Sequence, residues 1–399
     1  MAGVAPWIER ARGFFRVQWV RDARMILDGL AGRPPPPFTS RRPAVPPGIP
    51  RTLVGARSVR VVAVARETPD AISLTLVDRS GEGIAWLPGQ FFTVAIRLRG
   101  EVLRRAYSAS IPMAAASPAG SVRLTIKRVA GGMVSQYLND HAAVGDVMDV
   151  FGPSGSFVVE GAPAGLVLLG GGSGVTPLLA IARDALTRLP GTRVAFVVGN
   201  RSIGDILFME ELAALESRYP VRLALRFVLS DPPSEWTGGT GMLDSATTAR
   251  ELDGLSLDEG CEYFVCGPAP MMESVRAALQ ERGVHDKSIH EERFCAPVHS
   301  VPMADVGGDI AMTAVLGGRE YTFVNHAHET VLDSALGQRV PVPYSCTMGG
   351  CGACRMKLRE GAMTLEEPNC LSAEERAQGY VLTCIGRATQ ACLLEAEAS

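Results

Sequence analysis

The chain has 399 residues, 47% hydrophobic and 20% charged, with a formal net charge of -3. That balance describes a globular protein without a basic footprint for nucleic acid. The length is too great for one hydrophobic core and predicts about two to four domains, of which we expect three.

No apolar run approaches the ~18 to 20 residues that span a bilayer, since the most hydrophobic stretch, GLVLLGGGSGV, is broken by glycines. Charges at Glu9, Arg10, Arg12 and Arg16 interrupt any secretory signal, so a cytoplasmic location is expected, with a peripheral position at the inner membrane face as a further possibility. Nine cysteines in a reducing compartment point to metal or catalysis instead of disulfides.

In chain order, Ile8, Ala11, Phe15, Trp19, Ala23, Ile26 and Leu30 fall on one helical stripe, with Arg10, Arg21 and Arg24 away from it. A basic amphipathic helix over residues 7–30 would dock on an anionic membrane surface or a partner, or pack on the protein's own barrel. Residues 32 to 50, rich in proline, form a stiff extended tether, so 1–50 is an appendage.

Short alternating strands separated by Gly, Pro and Asp turns make residues 51–160 an antiparallel barrel or sandwich. From GLVLLGGGSGVTPLLAIARDAL onward the period changes, and strands alternating with helices give an α/β doubly wound parallel sheet over 161–291. Residues 292–308 read as a linker. The remaining 309–399 form a small α+β domain that would gain stability from a bound metal centre.

Cys346, Cys351 and Cys354 have the spacing C-x4-C-x2-C, and Cys384 follows after 29 intervening residues. This is the plant-type ferredoxin spacing, which holds a 2Fe-2S cluster in a loop while the last cysteine arrives on a separate strand. Gly349, Gly350 and Gly352 let backbone amides approach the sulfurs. A zinc site is the alternative, but zinc favours two C-x2-C knuckles and only one such pair exists here. Cys261, Cys295, Cys370 and Cys392 match no ligand position and read as small apolar thiols. His326 and His328 lack a further metal ligand nearby and read as a solvated turn.

The glycines of GGGSGVTP sit between a strand and a helix, where amides and a helix N-terminus meet an anionic pyrophosphate. No Lys follows, so the run is not a Walker A loop. RRAYSAS (104–110), KRVAGGMVSQYL (127–138), GGGSGVTP and FVCGPAPMM (264–272) occur in that order. Together with the cysteine loop they resemble the ferredoxin-NADP reductase superfamily, in its oxygenase-reductase branch with a C-terminal ferredoxin domain of β-grasp fold.

The resemblance implies an FAD-binding barrel. In it Arg105 would neutralise the flavin diphosphate, Tyr107 would lie against the isoalloxazine and Ser108 would hydrogen-bond near flavin N5. Gly132, Val134 and Ser135 would open a helix toward the second half of the diphosphate. Gly170, Gly172, Gly174, Thr176, Pro177 and Gly267 would bind the nicotinamide nucleotide, with Cys266 beside the nicotinamide and Phe294 over the other flavin face. Arg201 and Ser202 offer a cation and a hydroxyl for a 2′-phosphate, which favours NADPH over NADH, although Asp205 is placed to contact a ribose.

NAD(P)H yields two electrons as hydride and a 2Fe-2S centre takes one, so a flavin between them makes the domain order chemically sensible. The implied function is an NAD(P)H-dependent reductase component, with Ser108 and Cys266 at the hydride-transfer site. The cluster edge at Thr347 to Gly350 would face an external oxygenase, diiron hydroxylase or acyl desaturase. The alternative is a redox-sensing interaction module with the same cofactors, which would be reduced without sustained turnover.

Overall fold

The computed structural model describes residues 56–98, 101–110, 120–255, 260–294, 308–327, 329–350, 352–366, 369, 371 and 373–396. The N-terminal amphipathic segment, the tether, Cys295, His328, Cys351 and Cys370 lie outside them.

Alternating apolar residues build six strands: β1 (Arg57–Thr68), β2 (Ala71–Asp78), β3 (Phe91–Leu98), β4 (Glu101–Ser110), β5 (Val122–Lys127) and β6 (Val147–Ser154). They close into a barrel in the order β1-β2-β5-β4-β3-β6, so of the two expected arrangements it is the barrel that forms. The seam between β4 and β5 is short, paired only at Ala109 with Leu124 and Ser110 with Arg123. Val59, Leu74, Leu76, Phe92, Val94 and Leu124 fill its interior. Helix α1 (Met133–His141) lies between β5 and β6.

The second domain is a six-stranded parallel sheet: β7 (Gly165–Gly171), β8 (Arg193–Asn200), β9 (Leu223–Leu229), β10 (Gly239–Thr240), β11 (Glu262–Cys266) and β12 (Ile289–Glu292). Its crossover helices are α2 (Val175–Arg188), α3 (Met209–Arg218), α4 (Ser245–Asp253) and α5 (Ala269–Glu281). Every residue of β7 is buried, as expected for a central strand covered on both faces. The order β10-β9-β8-β7-β11-β12 reverses direction between β7 and β11. Such a switch point opens a crevice at the carboxyl ends of the two strands, where ligands bind in open α/β sheets. The glycine loop follows β7 and Gly267 follows β11, so both predicted nucleotide motifs open onto that crevice.

The third domain places helix α6 (Val331–Gly337) on a five-stranded mixed sheet. Its strands are β13 (Ile310–Leu316), β14 (Arg319–Asn325), β15 (Arg355–Glu360), β17 (Tyr380–Leu382) and β19 (Cys392–Glu395). The short strands β16 (Met363–Leu365) and β18 (Gly386–Ala388) pair separately, and α7 spans Ala373–Ala377. Its hydrophobic core draws on residues of this domain alone. Cys261 and Cys392 are buried in their own domain cores, in keeping with inert thiols.

Candidate active site and thiol centre

Strand β4 organises the site. Its register with β3 pairs Thr93 with Ala106, Ala95 with Arg104 and Phe91 with Ser108. Because side chains alternate across a strand, Thr93, Arg104 and Ser108 share one face while Arg105 and Tyr107 share the other. Arg105 donates from Nη1 to the Arg104 carbonyl at 2.7 Å. Burial pushes the Arg105 guanidinium down from its ordinary pKa, against the influence of nearby Tyr107 and Glu366. Burial also raises the Tyr107 hydroxyl, so it stays neutral beside the cation.

At the far end of β4, the Ser108 hydroxyl donates to Glu292 Oε2 at 3.1 Å. Glu292 is the last residue of β12, directly paired with Cys266 on β11. Burial lifts the Glu292 carboxyl to about 7. Burial also raises the thiol of Cys266, with the adjacent Glu292 adding to the effect. Ser108, Glu292 and Cys266 therefore converge from three strands of two domains. The sequence reading missed Glu292, since it stands at the first position of the expected linker and its partner Ser108 lies 184 residues away. Phe294 follows two residues later and is 44% exposed, leaving its ring free to cover a ligand.

The glycine loop forms a 3-10 turn at Gly172–Gly174 that runs into α2. A Cβ on Gly174 would sit 2.0 Å from the Cys266 carbonyl oxygen, so only glycine lets the loop lie against β11. Thr176 and Pro177 are buried in the first turn of α2, and Thr176 Oγ1 donates to the Ser173 carbonyl at 2.8 Å. Gly267 packs against the Gly171 amide, where an added Cβ would lie 3.0 Å away. Gly132 caps α1, in which Val134 and Ser135 are buried. The Ser135 hydroxyl donates to the Gly132 carbonyl at 3.2 Å and accepts from the Val129 amide at 3.1 Å. It holds the helix opening in shape.

At the end of β8, Arg201 donates to Asp205 from Nε at 3.1 Å and Nη2 at 3.2 Å, and the Ser202 hydroxyl donates to Asp205 at 2.7 Å. Both donors expected for a 2′-phosphate are thus held by a carboxylate, and a phosphate would have to displace it. Ser202-x-x-Asp205 is a capping pair, a signal present in the sequence but not read there. Beside it, the buried amide nitrogen and oxygen of Asn200 have no hydrogen-bond partner. An orphaned amide at a strand end in the ligand crevice suits a nucleotide.

In the third domain, Cys346, Cys354 and Cys384 are buried. The sulfurs of Cys354 and Cys384 are 3.1 Å apart. That contact, burial and the nearby charges of Cys354 and Cys346 push the Cys384 thiol well above its ordinary value. The Cys354–Cys384 pair, with Cys346 near enough to act on Cys384, has the donor chemistry of a metal centre, to which sulfur gives up its proton. Backbone amides of Met348 and Gly349 point at Cys346 Sγ (3.4 Å) and Cys384 Sγ (3.2 Å). Two expectations need correction. Cys384 sits in the turn just after β17, because the chain must reverse there into β18. Thr347, Met348 and Gly349 are buried, not exposed, because the loop faces the barrel, where the Thr93 hydroxyl donates to the Cys346 carbonyl at 2.7 Å.

Comparison with known proteins agrees with this arrangement. Residues 59–159 match the oxidoreductase FAD-binding domain, 168–277 the oxidoreductase NAD-binding domain and 315–389 the 2Fe-2S iron-sulfur cluster binding domain. The chain is 32% identical over 347 residues to a subunit of the 1,2-phenylacetyl-CoA epoxidase of Escherichia coli K12, covering 82% of this chain and 93% of that protein. The chain belongs to the ferredoxin-NADP reductase superfamily, in the branch with a C-terminal plant-type ferredoxin domain.

The ferredoxin reductase component of 3-ketosteroid-9-alpha-monooxygenase from Rhodococcus rhodochrous is 33% identical over 350 residues, covering 84% of this chain and 95% of that one. Phthalate dioxygenase reductase shares the fold, with a TM-score of 0.58 at 21% identity over 86% of this chain and 98% of that chain. The protein is accordingly an NAD(P)H-dependent oxidoreductase with FAD and 2Fe-2S domains, of the kind that serves as an electron-transfer component. Among the described residues no helix is long and apolar enough to cross a membrane.

Proposed function

We propose that this reductase passes electrons from NAD(P)H to an oxygenase, a diiron hydroxylase or an acyl desaturase in the cytoplasm. The observation that carries the reading is β4, which meets the nucleotide crevice at Ser108 and the thiol loop's domain at Arg104. When bound, FAD supplies the conversion between two-electron donor and one-electron acceptor. Arg105 takes diphosphate oxygens, since a planar guanidinium binds two at once. Tyr107 stays neutral and lies along the isoalloxazine, while Phe294 covers its other face. Ser108, Glu292 and Cys266 shape a small, dry pocket for the nicotinamide, and a Glu292 titrating near 7 holds or releases a proton there within the working pH range.

Gly132, Val134 and Ser135 present the N-terminus of α1 to the diphosphate. Gly170, Gly172, Gly174, Thr176, Pro177 and Gly267 line the nucleotide crevice. Arg201 and Ser202 hold the adenosine end. Cys346, Cys351, Cys354 and Cys384 ligate the cluster.

The deciding experiment is Cys384→Ser in anaerobically prepared protein. Iron-sulfur absorbance and reduction of cytochrome c should be lost, while ferricyanide reduction by NAD(P)H persists. Undiminished cytochrome c reduction by the cluster-free variant refutes the reading. Residues 7–30 bring the protein to an anionic membrane face or to its partner. Deletion of residues 1–32 should weaken liposome association and leave ferricyanide reduction unchanged; equal association of both forms removes that role.

A further inference from the structure

Two side chains of the barrel grip the third domain. Thr93 is fully buried and its hydroxyl donates to the carbonyl of Cys346 at 2.7 Å. Arg104 donates to Asp333 through two bonds, Nη2 to Oδ1 at 2.8 Å and Nη1 to Oδ2 at 3.2 Å. A paired fork of this kind fixes direction as well as distance. The guanidinium also lies over Phe151, 5.4 Å from the ring centroid, which sets its orientation from the barrel side.

Asp333 belongs to the first turn of α6, and its neighbour Leu332 donates its amide to the Thr383 carbonyl at 2.9 Å. Thr383 precedes Cys384. The barrel therefore holds the peptide at one cluster cysteine directly, through Thr93, and the peptide beside another through Arg104, Asp333 and Leu332. Arg104 and Tyr107 are three residues apart on one strand, a span of about 10 Å at ~3.3 Å per residue. Thr347 and Met348 are buried in this arrangement, so the thiol loop faces inward and not toward an acceptor.

We propose that Arg104 and Asp333 are a positioning pair, a reversible latch that holds the ferredoxin domain on β4 for the internal electron step and opens to present the cluster to its acceptor. The proposal rests on the reductase reading above. In the latched form one electron leaves the reduced flavin and one enters the oxidised cluster, with no bond made or broken and NAD(P)H as the original reductant. In the open form the cluster gives that electron to the one-electron acceptor. The pair suits a reversible role because Arg104 is 12% exposed and Asp333 31%, so water and salt reach it.

The test uses the full-length holoprotein with Arg104→Gln, Asp333→Asn and the double variant. Stopped-flow spectra separate flavin reduction by NAD(P)H from the later bleaching of the cluster. At low salt each single variant should slow cluster bleaching about tenfold, make it insensitive to added salt and leave flavin reduction unchanged. The double variant should be no slower than either single one, the signature of residues acting as a pair. Small-angle X-ray scattering should show a larger radius of gyration in the variants than in the parent at low salt. Should Arg104→Gln lose flavin, Asp333→Asn decides, since its substitution lies outside the barrel. Unchanged cluster bleaching, additive losses or an unaltered radius of gyration each overturn the latch. None of these results touches the reductase reading, which stands or falls on Cys384→Ser.

Discussion

The barrel meets its two neighbours in different ways. Toward the nucleotide domain, Ala71 and Phe157 join the apolar core that contains Leu178, Ile181 and Phe208. There Glu211 is held between Arg123 of the barrel, with an Nη2 bond of 3.0 Å, and Arg183 at 2.7 Å. Arg123 lies over Phe208 at 4.6 Å and donates from Nε to Ser110 at 2.9 Å. Arg123 is 4% exposed and Glu211 9%. Toward the ferredoxin domain, the described contacts are polar and no hydrophobic cluster of described residues spans the join. A shared core with a buried ion network resists separation. A partly exposed ion pair and one hydroxyl bond do not. In the proposed function hydride transfer needs a fixed pocket and delivery to another protein a movable domain, a division that the two interfaces would match.

Substitutions that break this contrast should differ sharply in effect. The largest is Glu211→Ala, which leaves two arginines without their buried carboxylate and should cost about 3 kcal/mol in denaturant unfolding. A loss below about 1 kcal/mol would place this network among ordinary surface pairs.

Glu292→Gln sharpens the nucleotide side. A carboxyl whose folded pKa is about 7, above its ordinary 4.5, keeps its proton in the folded state. Its contribution to stability is therefore full below about 4.5, declines as pH rises toward 7 and stays constant beyond. Glutamine should flatten that part of the stability curve and remove an apparent pKa near 7 from NAD(P)H oxidation. Identical pH profiles in variant and parent would show that the carboxyl does not titrate there. The smallest change is expected for the stability of Asp333→Asn, within about 1 kcal/mol, measured by the same unfolding. A loss matching that of Glu211→Ala would erase the distinction between the interfaces.

Much of this arrangement was legible in the chain itself because its signals are local. The C-x4-C-x2-C spacing, the alternation of the barrel strands and the glycines after β7 each lie within a short window, and the strands and the glycine turn formed where expected. What escaped was held by distant partners. Glu292 gains meaning only when β12 pairs beside β11 and brings it to Ser108. Arg104 reads as one member of a basic motif until α6 supplies Asp333. The burial of Thr347 and Met348 depends on which face of the barrel the third domain meets, and strand periodicity does not encode that. The turn at Cys384 was misplaced for a local reason, since YVLTCIGR has strand-like composition across a chain reversal.

Strand β4 places Arg104, Arg105, Tyr107 and Ser108 within five consecutive positions. Insertion or deletion of one residue inside that pentad would invert the face of everything beyond it. The Arg104–Asp333 grip and the Ser108–Glu292 contact would fail together, where a point substitution removes one at a time. Across descendants of such a chain, length should therefore drift in the connecting loops while this segment keeps its count, and a chimera maker should place the splice sites well away from it.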